Sequence, residues 1–231
     1  MTDAQAWRSV RTPLVRTSLA VGVATGGYGL SFGALGTAAG LTVAQTCALS
    51  VLVFTGGSQF ALVGAVSGGA SAMSGAASAV LLGSRNALYG ARLAPLLRLR
   101  GAPRLLGAQL VIDESTAVAL SGEQHGERAG RLGFWATGLA VFVLWNLATL
   151  VGALAGTVIG DPRDLGLDAA VPAAFLALLA PRLRERPARL TGAAAALLAV
   201  AVVPVVPVGV PVLVAALVPV AAVLARRGPD T

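Results

Sequence analysis

Four short stretches of this 231-residue chain place polar side chains inside otherwise apolar sequence. In Phe54-Thr55-Gly56-Gly57-Ser58-Gln59-Phe60, two glycines precede a hydroxyl and a carboxamide, with a phenylalanine at each end. A helix loosened at Gly56-Gly57 frees backbone groups, and Gln59 both donates and accepts hydrogen bonds. Such a stretch can cradle the ammonium and carboxylate of a zwitterion. The plainer alternative is a Gln59 that bonds a neighbouring helix, worth about 1 kcal/mol in a membrane. In Gly83-Ser84-Arg85-Asn86-Ala87-Leu88-Tyr89-Gly90, Arg85 and Tyr89 are four apart, on one helical face. A planar guanidinium pairs bidentately with carboxylate, so Arg85 can hold a substrate carboxylate or a buried acid. Arg92, one turn on, reads instead as an interfacial arginine reaching for headgroups.

The third stretch, Asp113-Glu114 within Leu110–Ala117, sets two like charges side by side in apolar surroundings. Such carboxylates repel, which makes one of them a candidate proton carrier or cation site. They could equally cap a helix running from Ser115 or balance Arg85. The fourth, Asp168 with Pro172, opens an apolar segment, and a helix N-cap suffices to explain the aspartate. Among the remaining polar and aromatic positions, Trp135 reads as an interfacial anchor. Trp145-Asn146 lies deeper and could line a cavity, and His125 sits in a polar loop. Cys47, the single cysteine, reads as a packing residue. No metal-ligand spacing, phosphate loop or nucleophile–base set occurs, so no cofactor and no enzymatic activity are expected, and transport would not be driven by ATP hydrolysis on this chain.

These residues need an explanation because of what surrounds them. The chain is 56% hydrophobic and only 12% charged, with a mean hydropathy of +0.80; soluble domains carry about 25% charge. Positions 17–84 hold no Asp, Glu, Lys or Arg, room for about three spans of roughly 20 residues. A central charge in a span costs about 2.5–3.5 kcal/mol on insertion scales. The expectation is an all-α, polytopic integral membrane helical bundle of about seven or eight segments, excluding soluble enzymes, nucleic-acid binders and disulfide-rich secreted domains. The 17 basic residues are all arginine and cluster between apolar stretches, as in cytoplasmic loops.

Apolar segments fall near 17–39, 42–67, 70–97, 105–121, 132–159, 169–180, 190–203 and 208–225. They give a basic cytoplasmic N-terminus (1–16), one transmembrane domain (17–225) and a cytoplasmic tail (226–231). No cleavable signal peptide is expected, because the apolar stretch behind Arg16 is too long for one. Asp161–Asp168 carries three Asp and one Arg and suits the outside, whereas Arg182–Arg189 and the Arg226-Arg227 tail suit the inside. Eight full crossings satisfy these but put Arg98–Arg104 outside, against the rule. Either that loop breaks the rule or an early segment fails to cross, and the short 105–121 stretch, interrupted by Asp113-Glu114, is a candidate broken or re-entrant element. Gly40-Leu41-Thr42 and Gly166-Leu167-Asp168 share a turn-and-cap pattern that hints at an internal repeat. Pro204, Pro207, Pro211 and Pro219 imply kinks in a C-terminal scaffold.

Taken in order, the Gly-x-Ser-Gln-Phe string, the Arg-x-x-x-Tyr-Gly element about 26 residues later, the Asp-Glu pair and Gly-Leu-Asp-x-x-x-Pro-x-x-Phe resemble the AzlC family of branched-chain amino acid exporters. The resemblance runs from about Arg16 to Arg226. It implies efflux of valine, leucine, isoleucine and analogues such as azaleucine through the cytoplasmic membrane, with a small four-span AzlD-type membrane partner. By matching motif it points to Gly57, Ser58, Gln59, Arg85, Tyr89, Asp113, Glu114, Asp168 and Pro172. The residues themselves add Gly56, Phe60 and Asn86 to a substrate site, with Asp113 and Glu114 as the proton or ion carriers. Two departures stand out: Gly83-Ser84-Arg85-Asn86 replaces the family's Asn-Leu-Arg-His, and Ile112 replaces its Thr. Losing the His removes a side chain that titrates near neutral pH. A passive channel and a non-transporting scaffold subunit are the competing readings.

Overall fold

A computed structural model describes residues 3–158, 182–207 and 210–226, with single positions at 173, 176, 179 and 180 between them. The expectations for Asp161–Asp168, for the Gly166-Leu167-Asp168 pattern and for Pro172 lie outside these residues. Eleven α-helices are described in chain order: α1 (Asp3–Ala38), α2 (Val43–Leu52), α3 (Gly56–Ser67), α4 (Ala72–Gly83), α5 (Arg85–Leu97), α6 (Ala102–Gln109), α7 (Asp113–Glu123), α8 (Glu127–Val158), α9 (Arg186–Val202), α10 (Val210–Ala215) and α11 (Leu217–Arg226). No strand occurs among the described residues, and the protein is all-α, as its composition requires. Among the described residues, three stretches, 5–38, 127–158 and 186–205, are long and apolar enough to cross a membrane.

The spine is the pair α1 and α8, joined by glycines. Gly22 lies against Ala140, Gly26 against Leu144 and Gly29 against the Trp145 carbonyl; from the other side Gly152 meets the Leu30 carbonyl and Gly156 meets Ala34. A Cβ at Gly29 would sit 2.6 Å from that carbonyl, so only glycine lets the backbones approach this closely. Thr137 Oγ1 donates to Ser18 Oγ at 2.9 Å, closing a buried polar pair in the same seam. Residue numbers rise together along both helices, so α1 and α8 run parallel. The chain between them must therefore return from one end of the spine to the other.

The kinked pair α4–α5 makes that return. Its 26 residues, joined at Ser84, reach about 40 Å. They end where Leu96 packs on Gly130 and its carbonyl accepts from Arg131 Nε at 2.8 Å, beside the start of α8. The other helices of this region go only half-way. Along α2, Thr46 packs on Gly36 and Ser50 Oγ donates to Thr149 Oγ1 at 3.3 Å, so α2 descends from the far end of the spine. The chain breaks at Val53–Thr55, and α3 turns back, passing from Trp145 at Gly56 to Phe32 at Phe60. From the opposite end α6 rises, with Gly107 near Trp135 and Leu110 on Gly138. After a break at Leu110–Ile112, α7 returns beside α8, with Val118 on Gly133 and Gly122 on Ala129. These half-helices of 8–12 residues are about 12–18 Å long, half of a bilayer core. Their two tips meet: Gln109 Nε2 donates to the Val51 carbonyl at 2.6 Å.

Several expectations change here. The stretches 42–67 and 70–97 are each divided in two instead of forming single helices. The broken element expected at 105–121 is present, and 42–67 supplies a second one. The loosening expected at Gly56-Gly57 falls instead at Val53–Thr55, where Thr55 is extended (φ −156°, ψ 103°) and the glycines begin α3. Two half-way pairs also remove the charge conflict. Arg98 binds Glu127 at 2.8 Å and Arg128 lies 4.0 Å over the Trp7 ring, so Arg98 shares an end with the arginine-bearing start of α1. The turn expected at Gly40–Thr42 is present: Gly40 takes φ +90°, and Thr42 with Gln45 forms a capping box. By contrast α9 buries no residue, and α10 meets the rest through Val210 and Leu213 beside α4.

Candidate functional site

The two tips and the spine enclose a cavity of about 90 Å³, on a scale where about 10–15 Å³ admits one water. It takes several waters or one small solute. It lies half-way along α8, at Val141 and Trp145, the depth at which transporters with interrupted helices place their substrates. Three helix N-termini converge there. Gly56 and Gly57 open α3, whose N-cap Thr55 makes no side-chain cap, so the first N–H groups of that helix are left for another acceptor. Arg85 opens α5, and Asp113 and Glu114 open α7. The positive ends of helix dipoles favour anions, and these two carboxylates supply negative charge in the α7 first turn.

Arg85 and Asp113 are joined by an ion pair at 2.5 Å, both half-buried. The guanidinium lies over Gly57, where an added Cβ would sit 3.2 Å from Arg85 Nη2. Glycine at 57 therefore lets the α3 backbone and the guanidinium share one wall. The Arg85 Nε is buried and has no hydrogen-bond partner. Glu114 stands in the same wall without an ion pair of its own among the described residues. Facing these charges is an aromatic wall. Phe60 and Trp145 meet edge to face at 6.1 Å, Phe32 stacks on Trp145 at 6.2 Å, and Phe54 is pinned by Phe142 at 4.9 Å. An apolar wall opposite an arginine and two carboxylates suits a solute with a charged head and a short hydrocarbon side chain.

The structure brings together Gly56, Gly57, Phe60, Arg85, Asp113 and Glu114. It does not bring Ser58, Gln59, Asn86 or Tyr89 to the cavity. Gln59 is fully buried and donates from Nε2 to the Ser50 carbonyl at 3.2 Å, satisfying the end of α2. Ser58 is buried against Gly83 in the α3–α4 seam, and Tyr89 packs on the hydrophobic core. Asn86 has a buried, unpartnered Oδ1 outside the cavity. Asp168 and Pro172 are not among the described residues. Thr25 and Tyr28 of α1 also line the cavity, although neither stands out in the sequence.

Fold and site together define a helical membrane protein with a small, charged cavity at the meeting point of interrupted helices. The family model described as AzlC protein matches residues 20–159, which hold the spine and both half-way pairs, and the chain belongs to the AzlC family. A relative described as an uncharacterized membrane protein, from Archaeoglobus fulgidus, is 33% identical over 171 residues, covering 72% of this chain and 74% of its own. No solved structure matches the chain.

Proposed function

We propose that this chain is a secondary transporter, not an enzyme, that exports branched-chain amino acids across the cytoplasmic membrane against proton influx, working with a small AzlD-type membrane partner. The observation that carries the reading is the mid-depth cavity that sets Arg85, Asp113 and Glu114 against the Phe54–Phe60–Trp145 wall. Asp113 is paired with Arg85. An incoming amino acid exchanges that contact: its carboxylate goes to Arg85 and the uncapped start of α3, and its ammonium goes to the released acid. Its aliphatic side chain lies on the aromatic wall. Protonation of Asp113 or Glu114 weakens the hold on Arg85 and on the ammonium, which ties release to the proton gradient. The reading also rests on membership of the AzlC family.

The test is efflux of labelled valine from cells without their own exporters, with this chain alone and with its small partner. Saturable release, abolished by a protonophore and competed by leucine, is the expected result. Release that never saturates and shows no counterflow would mean a passive pore. No release in either arm, with both proteins in the membrane, contradicts the reading.

A further inference from the structure

Besides Arg85 Nε, one more buried donor on a cavity-lining residue is left over by the contacts described above. Trp145 is 4% exposed, and its ring is held on three sides: stacked on Phe32 at 6.2 Å, edge-on to Phe60 at 6.1 Å, and touching Gly56, where an added Cβ would lie 3.0 Å from the ring. The ring therefore cannot turn away to find a partner. Its indole Nε1 is buried and has no hydrogen-bond acceptor. A buried indole N–H usually has one, and leaving such a donor unmade costs its full desolvation. A tryptophan used only for packing does not need this cost, because phenylalanine fills most of the same space without it.

We infer that Trp145 is a substrate-contacting residue whose indole N–H donates to an oxygen of the bound solute's carboxylate. Indole has a donor and no acceptor, so it selects an oxygen and rejects an ammonium, which fixes which way round a zwitterion sits. The same side chain then does two things: Nε1 holds the head group, and the ring face, fixed by Gly56, limits the depth open to the aliphatic tail. Arg85, which lines the same cavity from the α5 first turn, takes the same carboxylate. The inference rests on the transport reading above, and the experiment is arranged so that the two can fail separately.

The test compares valine with isobutylamine, which is valine without its carboxylate, as competitors of labelled valine transport by the native protein and by Trp145→Phe. The substitution keeps a ring between Phe32 and Phe60 and removes only the N–H and part of the ring. A hydrogen bond to a charged group predicts about a tenfold loss for valine, with isobutylamine unchanged. Equal weakening of both ligands would show that the ring merely packs, and no change in either would show that Nε1 has no ligand; either result overturns the inference. If the native protein does not transport valine, the transport reading fails by itself. The indole is then probed directly in a Trp7→Phe/Trp135→Phe protein, whose emission comes from Trp145 alone. Isobutyrate shifts that emission if the inference holds, and an unchanged spectrum overturns it.

Discussion

Helices are interrupted in two different ways at the two ends of this chain. In the C-terminal part the breaks are made by proline. Pro204 lies in the 3-10 turn 203–205 that ends α9, and Pro219 lacks the N–H that would bond back to Ala215, where α10 ends. α9 is bare of buried residues. Between Ala38 and Glu127 the breaks contain no proline. They fall at Val53–Thr55, Ser84 and Leu110–Ile112, and each is followed by residues that line the cavity: Gly56 and Gly57, Arg85, and Asp113 with Glu114. A proline break removes a donor. These breaks keep their donors and acceptors and present them at one place. Helix interruption by itself is therefore not a mark of function; the mark is an interruption that leaves unspent hydrogen-bonding groups facing a cavity.

The sharpest way to break this comparison is to neutralise the acids. Asp113→Asn together with Glu114→Gln is expected to abolish uphill export while equilibrative exchange persists at a raised half-saturation for valine, read as counterflow in proteoliposomes. Undiminished uphill export by the double variant would remove the coupling role. The next largest effect separates the two regions by sign. Gly152→Ala drives a methyl into the Leu30 carbonyl and should cost about 3 kcal/mol through overpacking. Gly192→Ala in α9 meets only the end of Leu183 at 3.5 Å, and should be neutral or stabilise by up to about 1 kcal/mol through helix propensity. Thermal unfolding in detergent reads both.

Smaller effects sharpen the account of the tips. Gln109→Leu removes the link between the two half-way pairs and leaves the Val51 carbonyl without its donor. It should lower stability by about 1 kcal/mol and raise the half-saturation for valine, because the tips form the cavity roof and floor. Pro219→Ala should alter valine transport by less than about twofold, with the protein still in the membrane, since helix propensity favours the change. A large transport loss there would mean that the C-terminal breaks also serve the site.

Much of this arrangement is legible in the sequence, for definite reasons. A charge in an apolar run is costly, so Arg85 and the Asp113-Glu114 pair could be singled out from composition alone, and all three line the cavity. The turn at Gly40 and the cap at Thr42 are set by local backbone chemistry within a few residues. For Gln59 the sequence leaves two readings open, because a carboxamide beside a glycine pair has the same local signature whether it faces a ligand or seals a helix end; here it seals α2. The break falls at Val53–Thr55, just before the glycines, because Gly56 and Gly57 serve as a close-packed helix start, not as the loosened turn. Thr25 and Tyr28 have no cost signature of their own. They belong to the site because α1 packs parallel to α8, a long-range contact that no local pattern carries. The second half-way pair was likewise hidden, since 42–67 is long enough and apolar enough to read as a single span.

The central claim is that solute binds where the two tips meet, and Val141 lines that cavity from α8. With Cys47 replaced by alanine and Val141 by cysteine, the thiol becomes a reporter of the cavity alone. The account predicts that a small, water-soluble methanethiosulfonate reagent labels this cysteine, that labelling blocks valine transport, and that saturating valine slows labelling at least tenfold. Labelling at the same rate with and without valine, in a variant that still transports it, would place the substrate elsewhere and contradict the account.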